Sequence, residues 1–104
     1  MIKSIRKRDG QIAEFDKKKI SEAIFAAMQA TGERNKTIPE KVTDQIIIKL
    51  EKRFIGKVPQ VEEVQDVVEE VLIREGMAKV AKAFILHRDK RSRIRESLKV
   101  RQKV

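Results

Sequence analysis

The stretch Arg6-Lys7-Arg8-Asp9-Gly10-Gln11-Ile12-Ala13-Glu14-Phe15-Asp16-Lys17-Lys18-Lys19-Ile20 organises this chain and poses its main question. It reads as a strand, a tight turn, a second strand and the start of a helix. Asp9-Gly10 is a type I′ hairpin signal, because both central residues of that turn must tolerate a left-handed backbone. Ala13 and Phe15 then fall on one face of the returning strand, Ile12 and Glu14 on the other. Asp16 is a good N-cap, since its carboxylate can accept from the free N–H groups of the next turn. Acidic residues usually follow such a cap, because the helix N-terminus carries a partial positive charge. Here Lys17, Lys18 and Lys19 follow instead. Cations at that end cost stability unless they serve something else, and a bound polyanion is the simplest remedy.

Outward from this stretch, the apolar spacing predicts four helices. The first runs over about 17–31 on Ile20, Ala23, Ile24, Ala27 and Thr31, and Gly32 closes it. Residues 33–36 read as a polar loop. Thr37-Ile38-Pro39-Glu40 combines a capping-box pattern with an early proline and opens the second helix, striped by Val42, Ile46, Ile47, Leu50 and Phe54. Lys57-Val58-Pro59 is extended, since a residue before proline is pushed out of the α region, and it suits a short third strand beside the hairpin. The third helix starts at Gln60 or Val61, with Glu62 and Glu63 in its first turn and Val64, Val67, Val68, Val71 and Leu72 facing inward. After Gly76 the fourth helix buries Met77, Val80, Ala81, Phe84 and Ile85. It runs on into Arg88–Arg95 and frays toward Val104. The expected fold is α+β and mostly α: a four-helix bundle capped by a small hairpin-based sheet of about three strands.

A chain of 104 residues with 40% hydrophobic and 39% charged residues suits one globular domain with a single modest core. No apolar run approaches the roughly 18 residues that span a bilayer, and no signal peptide is visible. The absence of cysteine removes disulfides and thiolate metal sites and fits a cytoplasmic protein. The net charge of +9 is uneven: residues 1–20 carry +4, residues 21–87 carry −1 and residues 88–104 carry +6. Basic ends of this kind favour nucleic acid or a nucleotide polyphosphate.

All four glycines mark element ends, so none remains for a phosphate-cradling loop, and no P-loop or dinucleotide fingerprint is present. Arg6, Lys7 and Arg8 can be edge-strand charges that block aggregation, or phosphate ligands. Together with Lys17–Lys19 they predict two basic clusters converging on one helix start, which is an anion site. The single histidine, His87, has no companion for a metal site and reads as a solvated or core-edge residue. The acids at 62, 63, 66, 69, 70 and 75 read as a solvated face, or as a contact for the basic tail of a second subunit. No spacing supports a catalytic dyad or triad. With no tyrosine or tryptophan, and the phenylalanines near buried stripes, a base-stacking platform is not expected.

Ordered motifs then point to a family. Ile5-Arg6-Lys7-Arg8-Asp9-Gly10, Glu14-Phe15-Asp16 and Lys19-Ile20 resemble the signature of the ATP-cone domain. Val58-Pro59-Gln60-Val61-Glu62-Glu63-Val64-Gln65-Asp66 resembles its third-strand and third-helix start. Ala81-Lys82-Ala83-Phe84-Ile85-Leu86-His87-Arg88 looks like its last helix. The resemblance covers about residues 2–96, which implies a cone over 1–96 and a basic tail or start of a linker over 97–104. It implies a non-catalytic allosteric domain that binds ATP or dATP, with Mg2+, and switches the activity or oligomeric state of a ribonucleotide reductase. By position it implies phosphate contacts from Lys7, Arg8, Lys19 and Lys90, a base pocket from Ile5 and Phe15, and base or ribose bonds from Glu14 and Asp16. Lys57, Gln60 and Val61 complete the implied nucleotide site. Ala13 departs from members that carry an acidic base contact there. The zinc ribbon of the family's transcriptional repressor is missing, so a reductase piece or free-standing cone is expected. Its implied partners are a reductase catalytic domain or another cone. The readings from other classes are a small basic nucleic-acid-binding module and a helical interaction domain with solvated basic ends.

Overall fold

The computed structural model describes residues 2–33 and 37–102, with side chains as far as Lys90 and at Ile94. Residues 34–36, most of the expected polar loop, and residues 103–104 lie outside the described part. The elements run β1 (Ser4–Arg6), β2 (Ile12–Glu14), α1 (Lys17–Ala30), α2 (Ile38–Arg53), α3 (Val61–Arg74) and α4 (Ala78–Gln102).

β1 and β2 pair antiparallel, with Ser4 opposite Glu14, Ile5 opposite Ala13 and Arg6 opposite Ile12. The hairpin forms as expected, but its turn is not type I′. The Gly10 N–H donates to the Lys7 carbonyl at 2.9 Å, and the Lys7 N–H donates to the Gln11 carbonyl at 2.8 Å. Gly10 alone in the turn has a positive φ, +88°, so Arg8 and Asp9 stay right-handed. This is the three-residue loop that ends in a left-handed residue. Asp9 keeps its ordinary backbone and uses its carboxylate to accept from the Gln11 N–H at 2.9 Å. Glycine takes the one position where a Cβ would be strained.

The expected third strand reduces to a single parallel bridge, Arg6 to Gln60, next to a bond from the Arg6 N–H to the Pro59 carbonyl at 2.9 Å. Two features limit it. Pro59 has no N–H to offer a ladder, and α3 begins at Val61. The sheet of the described residues is therefore two-stranded.

Each helix follows its predicted stripe, with local differences. Asp16 caps α1 by accepting from the Lys18 N–H at 3.0 Å. Along α1, Ile20, Ile24, Ala27 and Met28 are buried while Thr31 is exposed, so the stripe drifts toward Met28 near its end. Thr37 precedes α2 without the side-chain bond of a capping box, because its backbone is already right-handed helical instead of extended. Thr43 is buried in α2 and donates its hydroxyl to the Pro39 carbonyl at 2.6 Å, which satisfies it. All five expected residues of α3 are buried. At Gly76 (φ +76°) the Met77 N–H donates back to the Leu72 carbonyl at 2.9 Å, so α3 turns into α4 across only Glu75, Gly76 and Met77. α4 then continues as helix to Gln102, through the expected boundary at 96–97.

α1 packs against α2 and α4, and α3 packs against the same two helices. The four surround one core in which Ile24, Met28, Ile46, Leu50 and Leu72 are wholly buried. Ile2, Ile5 and Phe15 pack onto one end of that core and tie the hairpin to it. The hairpin is thereby set beside the start of α3.

Candidate functional site

The hairpin tip docks on the first turn of α3. Besides the Arg6–Pro59 backbone bond, Arg8 Nε lies 3.1 Å from Glu62 Oε1. The neighbouring Glu63 turns the other way, and its Oε1 accepts from the Gln60 N–H at 3.0 Å. The two acids at the positive end of α3 therefore have separate tasks. Glu63 caps the helix and Glu62 meets the hairpin.

Arg8, Glu62, Glu69, Ile85, Arg88 and Asp89 line an open groove of about 350 Å³ between the tip, α3 and α4. Arg88 forms its floor. Its Nη1 donates to Asp66 at 2.9 Å and to Glu69 at 2.7 Å, and its Nη2 donates to the Glu62 carbonyl at 3.4 Å. Burial pushes the Arg88 guanidinium pKa down, but the bonds to Asp66 and Glu69 outweigh it and hold the group above its ordinary value. Arg88 thus remains a cation pinned to α3.

The acids of α3 are largely exposed, as a solvated face is, and several of them are also paired within the chain. Glu62, Asp66 and Glu69 are spaced i, i+4 and i+7, which puts them on one face of the helix, and that face meets Arg8 and Arg88. Glu70, on another side, meets Lys49 at 2.9 Å and Arg53 at 3.1 Å on α2. Of the groove residues sequence reasoning predicts only Arg8 as a site residue, and not Glu62, Glu69, Ile85, Arg88 or Asp89. The available signal was that acidic spacing, set against an arginine just beyond the apolar stripe of α4.

The predicted residues do not all gather in the groove. Lys7 and Arg8 sit at the tip, while Lys17, Lys18 and Lys19 are exposed in the first turn of α1. The Phe15 N–H donates to the Lys3 carbonyl at 2.9 Å, so α1 starts beside Lys3. At about 3.3 Å per residue, the tip lies roughly 15 Å along the hairpin from that point. The basic clusters thus occupy opposite ends of the hairpin, and the helix start beside Arg8 is that of α3. Asp16 spends one carboxylate oxygen on its cap. Ile5 and Phe15 are half-buried against the core, Glu14 is exposed, Gln60 precedes α3 and Val61 opens it. Lys90 is exposed on α4, two residues beyond Arg88. Lys57 lines a separate groove of about 310 Å³ with Ile2, Lys3, Ser4, Phe54 and Val58.

Among the described residues no group of three or more His, Cys, Asp or Glu side chains is placed to hold a metal ion, and His87 is exposed. No described helix is long and apolar enough to cross a membrane.

Residues 3–93, which hold the hairpin and nearly all of the four helices, match the family model of the ATP cone domain. The chain belongs to that family. The cone is a regulatory part of ribonucleotide reductases, not a catalytic one. This cone is 40% identical over 101 residues to the vitamin B12-dependent ribonucleoside-diphosphate reductase of Thermoplasma acidophilum, a match covering 92% of this chain and 13% of that protein. It is 32% identical over 104 residues to the ribonucleoside-diphosphate reductase subunit alpha of Chlamydia trachomatis serovar D, covering 90% of this chain and 10% of the relative. The subunit alpha of Chlamydia pneumoniae is 36% identical over 102 residues. The cone spans only about a tenth of the length of these relatives.

Proposed function

We propose that this cone binds ATP and dATP as competing effectors and reports the bound nucleotide to a reductase catalytic domain or to a second cone. The observation that carries the reading is the family match over residues 3–93. The electrostatics agree with it. Cations at two ends of one hairpin suit an extended polyanion better than a single phosphate. Lys7 and Arg8 take phosphate oxygens at the tip, Lys19 and Lys90 take them on α1 and α4, and Mg2+ travels with the triphosphate. Ile5 and Phe15 offer apolar surface to the base. Glu14 and the second carboxylate oxygen of Asp16 accept from its amino group or from ribose hydroxyls. Gln60 and Val61 complete the site at the start of α3, and Lys57 reaches it from the segment before that helix.

The output is differential affinity. An effector shifts an equilibrium only by as much as it prefers one state to the other. ATP and dATP differ by one ribose hydroxyl, so discrimination rests on a group that is satisfied by one effector and unmatched by the other. The switch acts on an oligomeric or activity state of a cytoplasmic reductase.

Calorimetric titration with ATP, dATP, GTP and duplex DNA at two salt concentrations tests the reading. Saturable binding selective for adenine nucleotides supports it, as does a melting temperature that rises with ATP. Binding of DNA alone, with a steep salt slope, would replace it with the nucleic-acid reading.

A further inference from the structure

The tip arginine proposed to hold phosphate already holds an anion. Arg8 Nε lies 3.1 Å from the Glu62 carboxylate, whose side chain is 53% exposed. Arg88, across the same groove, is 18% exposed and fastened to both Asp66 and Glu69. The two guanidiniums therefore differ in how readily they can be given up. Arg88 is locked between two carboxylates and the backbone. Arg8, itself 29% exposed, meets in Glu62 a carboxylate that faces water on its open side. The strand leading to the tip is also tied, by the Arg6–Pro59 backbone bond, to the segment just before α3.

We infer that Glu62 is an internal competitor for the phosphate-holding Arg8, so that a nucleotide must displace one carboxylate to gain this ligand. The inference rests on the reading in the preceding subsection and adds the residue that sets effector affinity. The chemistry of the exchange is one anion for another on a single guanidinium. A polyphosphate carries more charge and accepts bidentate bonds, so it wins at sufficient concentration. The displaced carboxylate moves to solvent, and the Arg8–Glu62 contact between the tip and α3 is lost. Weakened effector binding is the result, and it places the working range at higher nucleotide concentrations than the phosphate ligands alone would set. Glu63 does not share this role, because its carboxylate is committed to the Gln60 N–H.

Glu62→Gln in the full chain removes the competitor, and an exposed pair of this kind is worth up to about a fivefold change. The expected result is ATP and inorganic tripolyphosphate binding about fivefold tighter, with adenosine binding unchanged. Glu70→Gln makes the same change of net charge on another side of α3, where Glu70 meets Lys49 and Arg53, and is expected to alter affinity by less than about twofold. In an Arg8→Gln background, which keeps Lys7 and Lys19 for measurable binding, the gain from Glu62→Gln should vanish, since the coupling runs through the pair. Equal or weaker ATP binding by Glu62→Gln overturns the inference. An undiminished gain in the Arg8→Gln background does so as well, because it reduces Glu62 to one more surface charge. Both leave the effector reading intact, whereas failure of the unmodified cone to bind ATP or dATP would sink the reading and the inference together.

Discussion

The starts of α1 and α3 flank the same hairpin and are built in opposite ways. α3 opens with Glu62 and Glu63, while α1 opens with three lysines and no acid in its first turn. Both have a cap: Asp16 serves Lys18 on α1, and Glu63 serves Gln60 on α3. The difference lies in the net charge left at each positive helix end. At α3 it is answered inside the chain, and the surplus carboxylate of Glu62 reaches out to Arg8. At α1 it is reinforced by cations. Each misplaced charge costs about 0.3–1 kcal/mol at a helix end, a small share of the roughly 5–15 kcal/mol of a typical domain. A fold can carry such a local defect, and it makes sense where an anion arrives from outside.

The largest expected effect separates the two helix starts by ligand. Lys19→Ala should weaken ATP binding about tenfold or more in calorimetry, or about 1.4 kcal/mol, while Glu63→Gln changes it little. Equal losses in both would erase the distinction. Next comes the cap. Asp16→Ala should lower stability to urea by about 1 kcal/mol, which would show that α1 needs its one acid despite the lysines around it. Smaller still, Lys18→Glu should raise the stability of the nucleotide-free cone by about 0.3–1 kcal/mol at low salt. That gain should shrink in high salt, and a loss of stability instead would mean the lysines are not frustrated at all.

The smallest effect concerns the opposite side of α3. The hydrogen bond from Lys49 holds the Glu70 carboxyl below its usual 4.5; desolvation opposes it, and the bond from Arg53 adds to the lowering. A carboxylate depressed in the folded state stabilises above its unfolded pKa, and that stability is lost as the pH falls through the lower folded value. Stability should therefore decline in the acid range below about 4.5, and Glu70→Gln should flatten that slope in thermal melts taken across the range. Around neutral pH the slope should not respond.

What was legible in the sequence followed from local chemistry. Val64, Val67, Val68, Val71 and Leu72 announced α3 by spacing alone, because a helix must turn one stripe toward its neighbours and these residues have no polar alternative. Asp16 and Gly76 marked helix ends for reasons confined to a few backbone atoms. The hairpin was readable from Asp9-Gly10, although its turn type was not, since the Asp9 carboxylate found the Gln11 N–H and left Gly10 alone to go left-handed. The third strand failed for a reason visible in Pro59 itself, the missing N–H.

The site divides in the same way. Sequence alone located the unusual cations of the tip and of the α1 start, because a violation of helix electrostatics is local and needs no partner to be seen. It could not say that the two clusters sit at opposite ends of the hairpin, which depends on the register joining Phe15 to Lys3. Nor could it pair Arg8 with Glu62, or Arg88 with Asp66 and Glu69, across 54, 22 and 19 residues of chain. Those contacts exist because the core brings α3 and α4 side by side and hangs the hairpin over their end. Local periodicity sets what each segment becomes; only packing decides which charges meet.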